Sequence, residues 1–348
     1  YFVVAGWSFE FVYQSVMGSF VGETGEVITQ NFDTFRFDTW RPYLWIVVFI
    51  ALTAGVLYAG VEKGIEKWSK VLMPMLFLIV VYLCVYAIFL PNSGEGYKFY
   101  FDTDFSKINA SVIIAALGQA FFSLSLGMGA MMIYGSYIEK GTNLAKTSIQ
   151  IASLDTLVAI LAGLVVFPAV FSYGIDPAAG PQLVFITLPT VFAQMTGGYF
   201  FSIFFFLLVA VAALTSTISI LEVQTATVAE EFKMNRKVSL VLMSLIMLVV
   251  CCMCSYSLIP MDGGNELVFF GKSLFDICDI LTSYIILPLG GLLIMLFLGW
   301  FYKKEDLHYI LVVETKCSEG LFKVYYFFLR FIAPLLLLAV FLQQLGLF

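Results

Sequence analysis

The sequence predicts an all-α, polytopic membrane protein, and three observations carry that prediction. Of 348 residues, 61% are hydrophobic and only 12% are charged, a balance far from that of a soluble domain. Apolar stretches of spanning length recur along the chain, at 43–61, 71–90, 112–138, 149–172, 199–229, 238–259, 274–302 and 321–347, with a partial one at 1–21. A span needs about 20 apolar residues, whereas a transmembrane barrel would show short alternating segments instead. Lys and Arg also crowd into every second connection: Lys63, Lys67 and Lys70; Lys140 and Lys146; Lys233, Arg236 and Lys237; then Lys303, Lys304, Lys316 and Lys323. The connections between them carry fewer, so the crowded group is cytoplasmic and the stretch 1–21 runs outward.

The chain begins with Tyr1, already inside an apolar run and without a basic leader. A missing N-terminus is the expectation, and a cytoplasmic N-terminus then requires an even number of absent spans, two being the simplest. The span at 43–61 returns inward and ends at Gly60, Glu62 and Lys63. Gly64 and Pro74 flank the cytoplasmic start of the next span. They read either as a point that unwinds at modest cost or as a loop glycine and a helix-start proline. The polar connection from Pro91 to Asn109 is external.

Within 112–138 the run Ser123-Leu-Ser-Leu-Gly-Met-Gly129 interrupts the apolar pattern. In hydrocarbon every backbone N–H and C=O must be paired, so such a run marks a broken helix whose freed groups line a polar cavity. One half-helix there offers carbonyls to a cation, and the other offers amides to a carboxylate. The alternative is that Gly127, Gly129 and Ala130 are small residues that let two helices pack closely.

In 149–172 stands Asp155, a carboxylate that costs about 2.5–3.5 kcal/mol in mid-span and therefore needs a cavity and a partner. The stretch 173–198, with Pro177, Pro181 and Pro189, is too irregular to span and reads as an external lid. The span 199–229 holds Ala212-Ala-Leu-Thr-Ser-Thr217 with Glu222 beyond. Its hydroxyls and a carbonyl are hard oxygen ligands of the kind a small cation takes, or they bond back to the preceding turn. Asp276 and Asp279 lie at the outer mouth of 274–302, either solvated or closing a gate, and Arg330 in the last span snorkels to an interface. Six irregularly spaced cysteines, mostly within spans, argue against disulfides and metal. With His308 the sole histidine, the composition argues against zinc chemistry and histidine acid catalysis.

Gly118-Gln-Ala-Phe-Phe-Ser-Leu-Ser-Leu-Gly-Met-Gly129 and Ala212-Ala-Leu-Thr-Ser216 resemble motifs of the neurotransmitter:sodium symporter family, whose bacterial members have the leucine-transporter fold. Gly64 to Pro74, Phe185 to Pro189 and Asp279 support the resemblance, which covers essentially the whole chain. It implies one transmembrane transporter domain of inverted five-helix repeats: 1–90 as the remainder of the first repeat, 111–302 as the second, and 319–348 as an extra helix. The first two helices and part of the third would be absent.

By the same resemblance, Tyr1 helps hold the substrate carboxylate, Phe122 covers the substrate, and Ser123, Ser125, Met128, Ser216 and Ile220 line its pocket. Ser123 and Asp155 match ligands of one sodium site; Ala212, through its carbonyl, Thr215 and Ser216 match a second. The two sites would be completed by the absent N-terminal helix. Gln119 and Asp279 match an outer gate, and Glu230 and Tyr137 an inner one. Three departures stand out: Met128 sits where an aromatic is frequent, Asp155 where an asparagine is, and the chain ends after an eleventh helix.

The implied function is sodium-coupled uptake of a neutral, hydrophobic or aromatic amino acid by alternating access. Chloride independence follows if the Asp155 carboxylate supplies the negative charge. The implied setting is the cell membrane, the inner one in a bacterium, with the amino acid, sodium ions and the lipid bilayer as partners and no nucleic acid. Two other classes remain: a receptor or channel on the same scaffold, and a membrane hydrolase using Asp155 with Glu10 or Glu222.

Overall fold

A computed structural model describes residues 1–60, 62–102, 104–138, 141–175, 183–259, 268–269, 271–315 and 317–344. Helices account for nearly all of it, as the composition requires. Among the described residues, seven are long and apolar enough to cross a membrane. Two of the nine apolar stretches fall short for structural reasons. The first yields α1 (Phe2–Val16), of 15 residues. The stretch 112–138 is divided into α6 (Ala110–Ser123) and α7 (Ala130–Tyr137), because the chain leaves helical geometry between them.

The chain divides into two compact units. The first comprises Tyr1–Thr103 and Val158–Phe275. It holds α1, α2 (Gly25–Arg36), α3 (Arg41–Ala59), α4 (Glu62–Ile88), α5 (Ser93–Phe101), the end of α8 (Leu144–Tyr173), α9 (Leu183–Gln194), α10 (Gly198–Glu231) and α11 (Arg236–Tyr256). Its core is an aromatic cluster: the ring of Phe11 lies 5.0 Å from that of Phe185 and 5.1 Å from that of Phe206, and Trp7 meets Phe32 edge-on at 5.3 Å. Such offset and edge-to-face pairs add to the area they bury. They join α1, α2, α9 and α10.

Two expectations need correction here. Gly64 is not a loop glycine and Pro74 does not start a helix, because α4 runs from Glu62 with Pro74 inside it. A proline inside a helix removes one N–H donor and crowds the carbonyl four residues back, and the 27-residue helix continues past it. The described part of 173–198 is regular, α9 being helical with Phe185 through Phe192 all buried. The residues 176–182, with Pro177 and Pro181, lie outside the described residues. The connection 22–42 contains α2, and α3 then starts just after Asp38, whose carboxylate accepts from the backbone N–H groups of Trp40 at 2.9 Å and Arg41 at 3.0 Å. Those two bonds favour the ionised form and hold the Asp38 carboxyl below its ordinary range.

The second unit comprises Asp104–Leu157 and Asp276–Phe348. It contains α6, α7, the start of α8, most of α12 (Leu274–Ile280), α13 (Leu287–Leu296), α14 (Lys304–His308), α15 (Glu319–Phe327) and α16 (Ala333–Gln344). Wide π-helical turns join several of these, including Leu281–Ile286 and Phe328–Ile332. Each of those two ends two residues before a proline, Pro288 and Pro334. A proline cannot donate to the carbonyl four residues back, so the turn before it relaxes to the longer bonding pattern. Leu307, Phe322 and Leu329 form a core under Met295, Leu298 and Tyr326.

Candidate functional site: a broken helix and a row of hydroxyls

In the second unit, α6 stops at Ser123 and the backbone turns through left-handed positions at Ser125 (φ 54°), Gly127 (φ 81°) and Gly129 (φ 85°). Glycine suits two of these because a Cβ costs energy in that region. Space makes the same demand, since a Cβ on Gly127 would strike the carbonyl of Leu287, and one on Gly290 the carbonyl of Gly127. The break therefore lies directly on the Gly290–Gly291 step of α13. Both readings of the glycines hold at once: they break the helix, and they allow close packing.

The break places Ser123 against α8. Its hydroxyl donates to Oδ2 of Asp155 at 2.8 Å, so the carboxylate has the partner that its position in an apolar span demands. Two hard oxygens, one charged, stand together beside the last turn of a helix whose C-terminal carbonyls carry partial negative charge. Ser125 and Met128 follow in the break, half-buried, and Phe122 is 38% exposed. Gln119 is exposed on α6, and Asp279 is exposed on α12, where it accepts from the Ser283 hydroxyl at 3.2 Å. Tyr137 is the last residue of α7, and its side chain lies outside the described residues.

In the first unit, α10 passes without a break through Ala212 to Thr217. The Ala212 carbonyl accepts from the Thr215 hydroxyl at 2.8 Å and from the Ser216 hydroxyl at 3.4 Å, which draws three oxygens together on one half-buried face. The hydroxyls do bond back to their own helix, and that geometry gathers three hard oxygens on one face. Thr217 faces the opposite way, and its Oγ1 lies 3.0 Å from that of Thr53 on α3, both side chains being fully buried. Ile220 is half-buried one turn on from Ser216, Glu230 is exposed on the last turn of α10, and Tyr1 caps the start of α1, 52% exposed.

Two buried carboxylates have partners that the sequence reading did not supply. Glu10, 1% exposed, accepts from Gln14 Nε2 at 2.8 Å, from Trp45 Nε1 at 2.6 Å and from the Arg41 guanidinium. Glu222 binds Arg236 through both oxygens, at 2.7 and 2.8 Å. The cost of an unpaired charge in a span was the signal, and it applies to these two as it does to Asp155. Fully engaged carboxylates of this kind are poor general bases. Among the described residues there is no cluster of three His, Cys, Asp or Glu side chains placed to hold a metal ion.

Comparison with known proteins identifies the family. Residues 26–348 match the sodium:neurotransmitter symporter family. An uncharacterised sodium-dependent transporter of Bacillus subtilis, YhdH, is 36% identical over 99% of this chain and 76% of its own length. A similar transporter of Haemophilus influenzae is 35% identical over 99% of this chain and 75% of its own. Among solved structures, MhsT in complex with L-phenylalanine superposes with a TM-score of 0.91 at 36% identity, covering 99% of this chain and 77% of that one. The family is one of transporters rather than enzymes, which removes the hydrolase reading. The chain belongs to the sodium:neurotransmitter symporter family, with the leucine-transporter fold, and is a multi-pass, sodium-dependent membrane transporter.

Proposed function

We propose that the protein is a symporter that takes up a neutral, hydrophobic or aromatic amino acid together with sodium, by alternating access and without chloride. The observation that carries this reading is the contact between the Ser123 hydroxyl and the Asp155 carboxylate at the helix break. An ionised carboxylate beside a sodium ion is offset by that ion, and it contributes the negative charge that a bound anion would otherwise bring. Ser123 and Asp155 serve one sodium ion. Ala212, through its carbonyl, Thr215 and Ser216 serve a second. The substrate is held by Tyr1, Phe122, Ser123, Ser125, Met128, Ser216 and Ile220. Met128 is unbranched and flexible and adapts that wall to bulky apolar side chains. The L-phenylalanine bound by the similar MhsT supports this substrate class. Gln119 and Asp279 act at the outer gate, and Glu230 and Tyr137 at the inner one.

Uptake of labelled L-phenylalanine into proteoliposomes under a sodium gradient tests the proposal. Uptake is expected to be equal in chloride and gluconate, to collapse without the gradient, and to be competed by leucine and aromatics but not by charged amino acids. Asp155→Asn is expected to lose uptake or to acquire a chloride requirement. A wild-type chloride requirement, or Asp155→Asn behaving as wild type in gluconate, overturns the role given to Asp155. Preference for glycine or a charged amino acid overturns the substrate class.

A further inference from the structure

Away from the transport residues, the second unit carries a cation inside its last span. Arg330 lies in the π-helical turn Phe328–Ile332, 11 residues beyond Glu319, where the span begins. The Arg330 Cα packs against Gly299, where an added Cβ would lie 3.1 Å from it, two residues before the span Leu274–Phe301 ends. Its side chain points back towards the cytoplasmic end, as helical side chains do. Nη1 donates to the Tyr326 hydroxyl one turn earlier at 3.4 Å, and the guanidinium carbon sits 4.5 Å over the Trp300 ring. The ammonium group of Lys304 lies 5.2 Å over the Tyr326 ring from the adjoining cytoplasmic connection. Two cations thus converge on a pair of interfacial aromatics.

Among the described residues no carboxylate neutralises either cation. Among the described residues Arg330 and Lys304 make no ion pair, and the buried Nε of Arg330 has no hydrogen-bond acceptor. Cation–π contact and one long hydrogen bond leave the guanidinium donors largely unspent, in a setting where an unpaired charge is costly. The surrounding surface is suited to acyl chains: Phe327, Phe328, Phe331 and Leu335 are all exposed, and Trp300 is 54% exposed. What such a surface meets beside two cations is a diacyl lipid with an anionic head. A planar guanidinium suits the two non-bridging oxygens of its phosphodiester.

We propose that Arg330 and Lys304, framed by Trp300 and Tyr326, bind the phosphate of an anionic glycerophospholipid in the cytoplasmic leaflet. The site is separate from the transport residues, so its test reads lipid binding and does not depend on which amino acid is carried.

The test is native mass spectrometry of the intact transporter released from mixed phosphatidylglycerol and phosphatidylcholine membranes. Wild type is expected to retain phosphatidylglycerol preferentially. Each cation near an anionic headgroup contributes about a fivefold preference, so Lys304→Gln and Arg330→Gln are each expected to lower retention about fivefold, and Arg330→Lys to lower it less. Equal retention of the two lipids by wild type overturns the proposal, as does a preference that survives in the Lys304→Gln, Arg330→Gln double variant. Displacement of the lipid by millimolar inorganic phosphate makes free phosphate the ligand and likewise overturns it. Should Arg330→Gln fail to fold, Arg330→Lys and Lys304→Gln carry the same comparison: retention must fall in the second and largely survive in the first.

Discussion

The two oxygen clusters on α6–α8 and on α10 are built by opposite means. At Ser123 and Asp155 the backbone itself is broken, with left-handed residues at 125, 127 and 129, and the cluster carries a formal charge. At Ala212, Thr215 and Ser216 the helix is intact, the cluster is neutral, and its geometry is that of ordinary hydroxyl-to-carbonyl bonds. A broken helix concentrates backbone dipoles but needs exact support from its neighbours, here the glycine step of α13. A continuous helix needs no such support and offers less. The first cluster should therefore be the more sensitive to packing and to charge, and the second should respond only to loss of its own oxygens.

The largest effect is expected at the support of the break. Gly127→Ala puts a Cβ against the Leu287 carbonyl at φ 81°. Left-handed strain costs about 1–2 kcal/mol, and overpacking adds roughly 1–3 kcal/mol. Thermal melting of the detergent-solubilised protein should fall by several degrees, and uptake should be lost even where protein remains. Gly55→Ala, a helical glycine with open space around it on α3, is the control and should change neither. If both variants melt alike, the break is not held in the way described.

Sodium dependence comes next. Removing a hydroxyl that bonds a charged group costs about 1.5–3 kcal/mol, so Ser123→Ala, Thr215→Ala and Ser216→Ala should each raise the sodium concentration for half-maximal substrate binding about tenfold or more. Unchanged sodium dependence in the α10 variants would make those hydroxyls structural and end the comparison between the clusters.

A smaller effect is expected one position further along α10. Thr53→Val leaves the Thr217 hydroxyl without its partner across α3 and α10, although Thr217 keeps its bond to the Leu214 carbonyl at 2.9 Å. The cost is about 1 kcal/mol of stability. Sodium affinity should be nearly unchanged, because Thr217 faces away from the cluster; a loss as large as that of Thr215→Ala would show that the two faces act together.

The smallest effect is a pH dependence at the N-terminal end of α3. Asp38 is held below its ordinary carboxylate range by the N–H groups of Trp40 and Arg41. A depressed folded-state value means that its contribution is present above the ordinary range, near pH 4, and is lost as the pH falls through the folded value. Asp38→Asn should remove that part of the acid sensitivity in melting curves taken between about pH 3 and pH 6, and should leave stability near neutral pH only slightly changed. An unaltered acid limb assigns the sensitivity to other carboxylates.

Much of the molecule was legible in the chain because hydrocarbon imposes local rules. Span length follows from the number of consecutive apolar residues. The break at Ser123 to Gly129 follows from serines and glycines in mid-span. Asp155 could be singled out for the same reason, as a charge whose cost is set by its position alone.

What those rules leave open is which groups meet. Ser123 and Asp155 are 32 residues apart, Glu10 and Trp45 35, and Thr53 and Thr217 164. No periodicity links such pairs, because contact between helices depends on how each is rotated and how far it is shifted against its neighbour. The same holds for the helix geometry at the prolines: Pro74 sits within an unbroken helix, while wide turns precede Pro288 and Pro334. Hydropathy thus determined that Asp155 needed a partner, and only packing decided that it takes a serine hydroxyl while Glu10 takes an arginine, a tryptophan and a glutamine, because burial is a property of sequence composition and pairing is a property of shape.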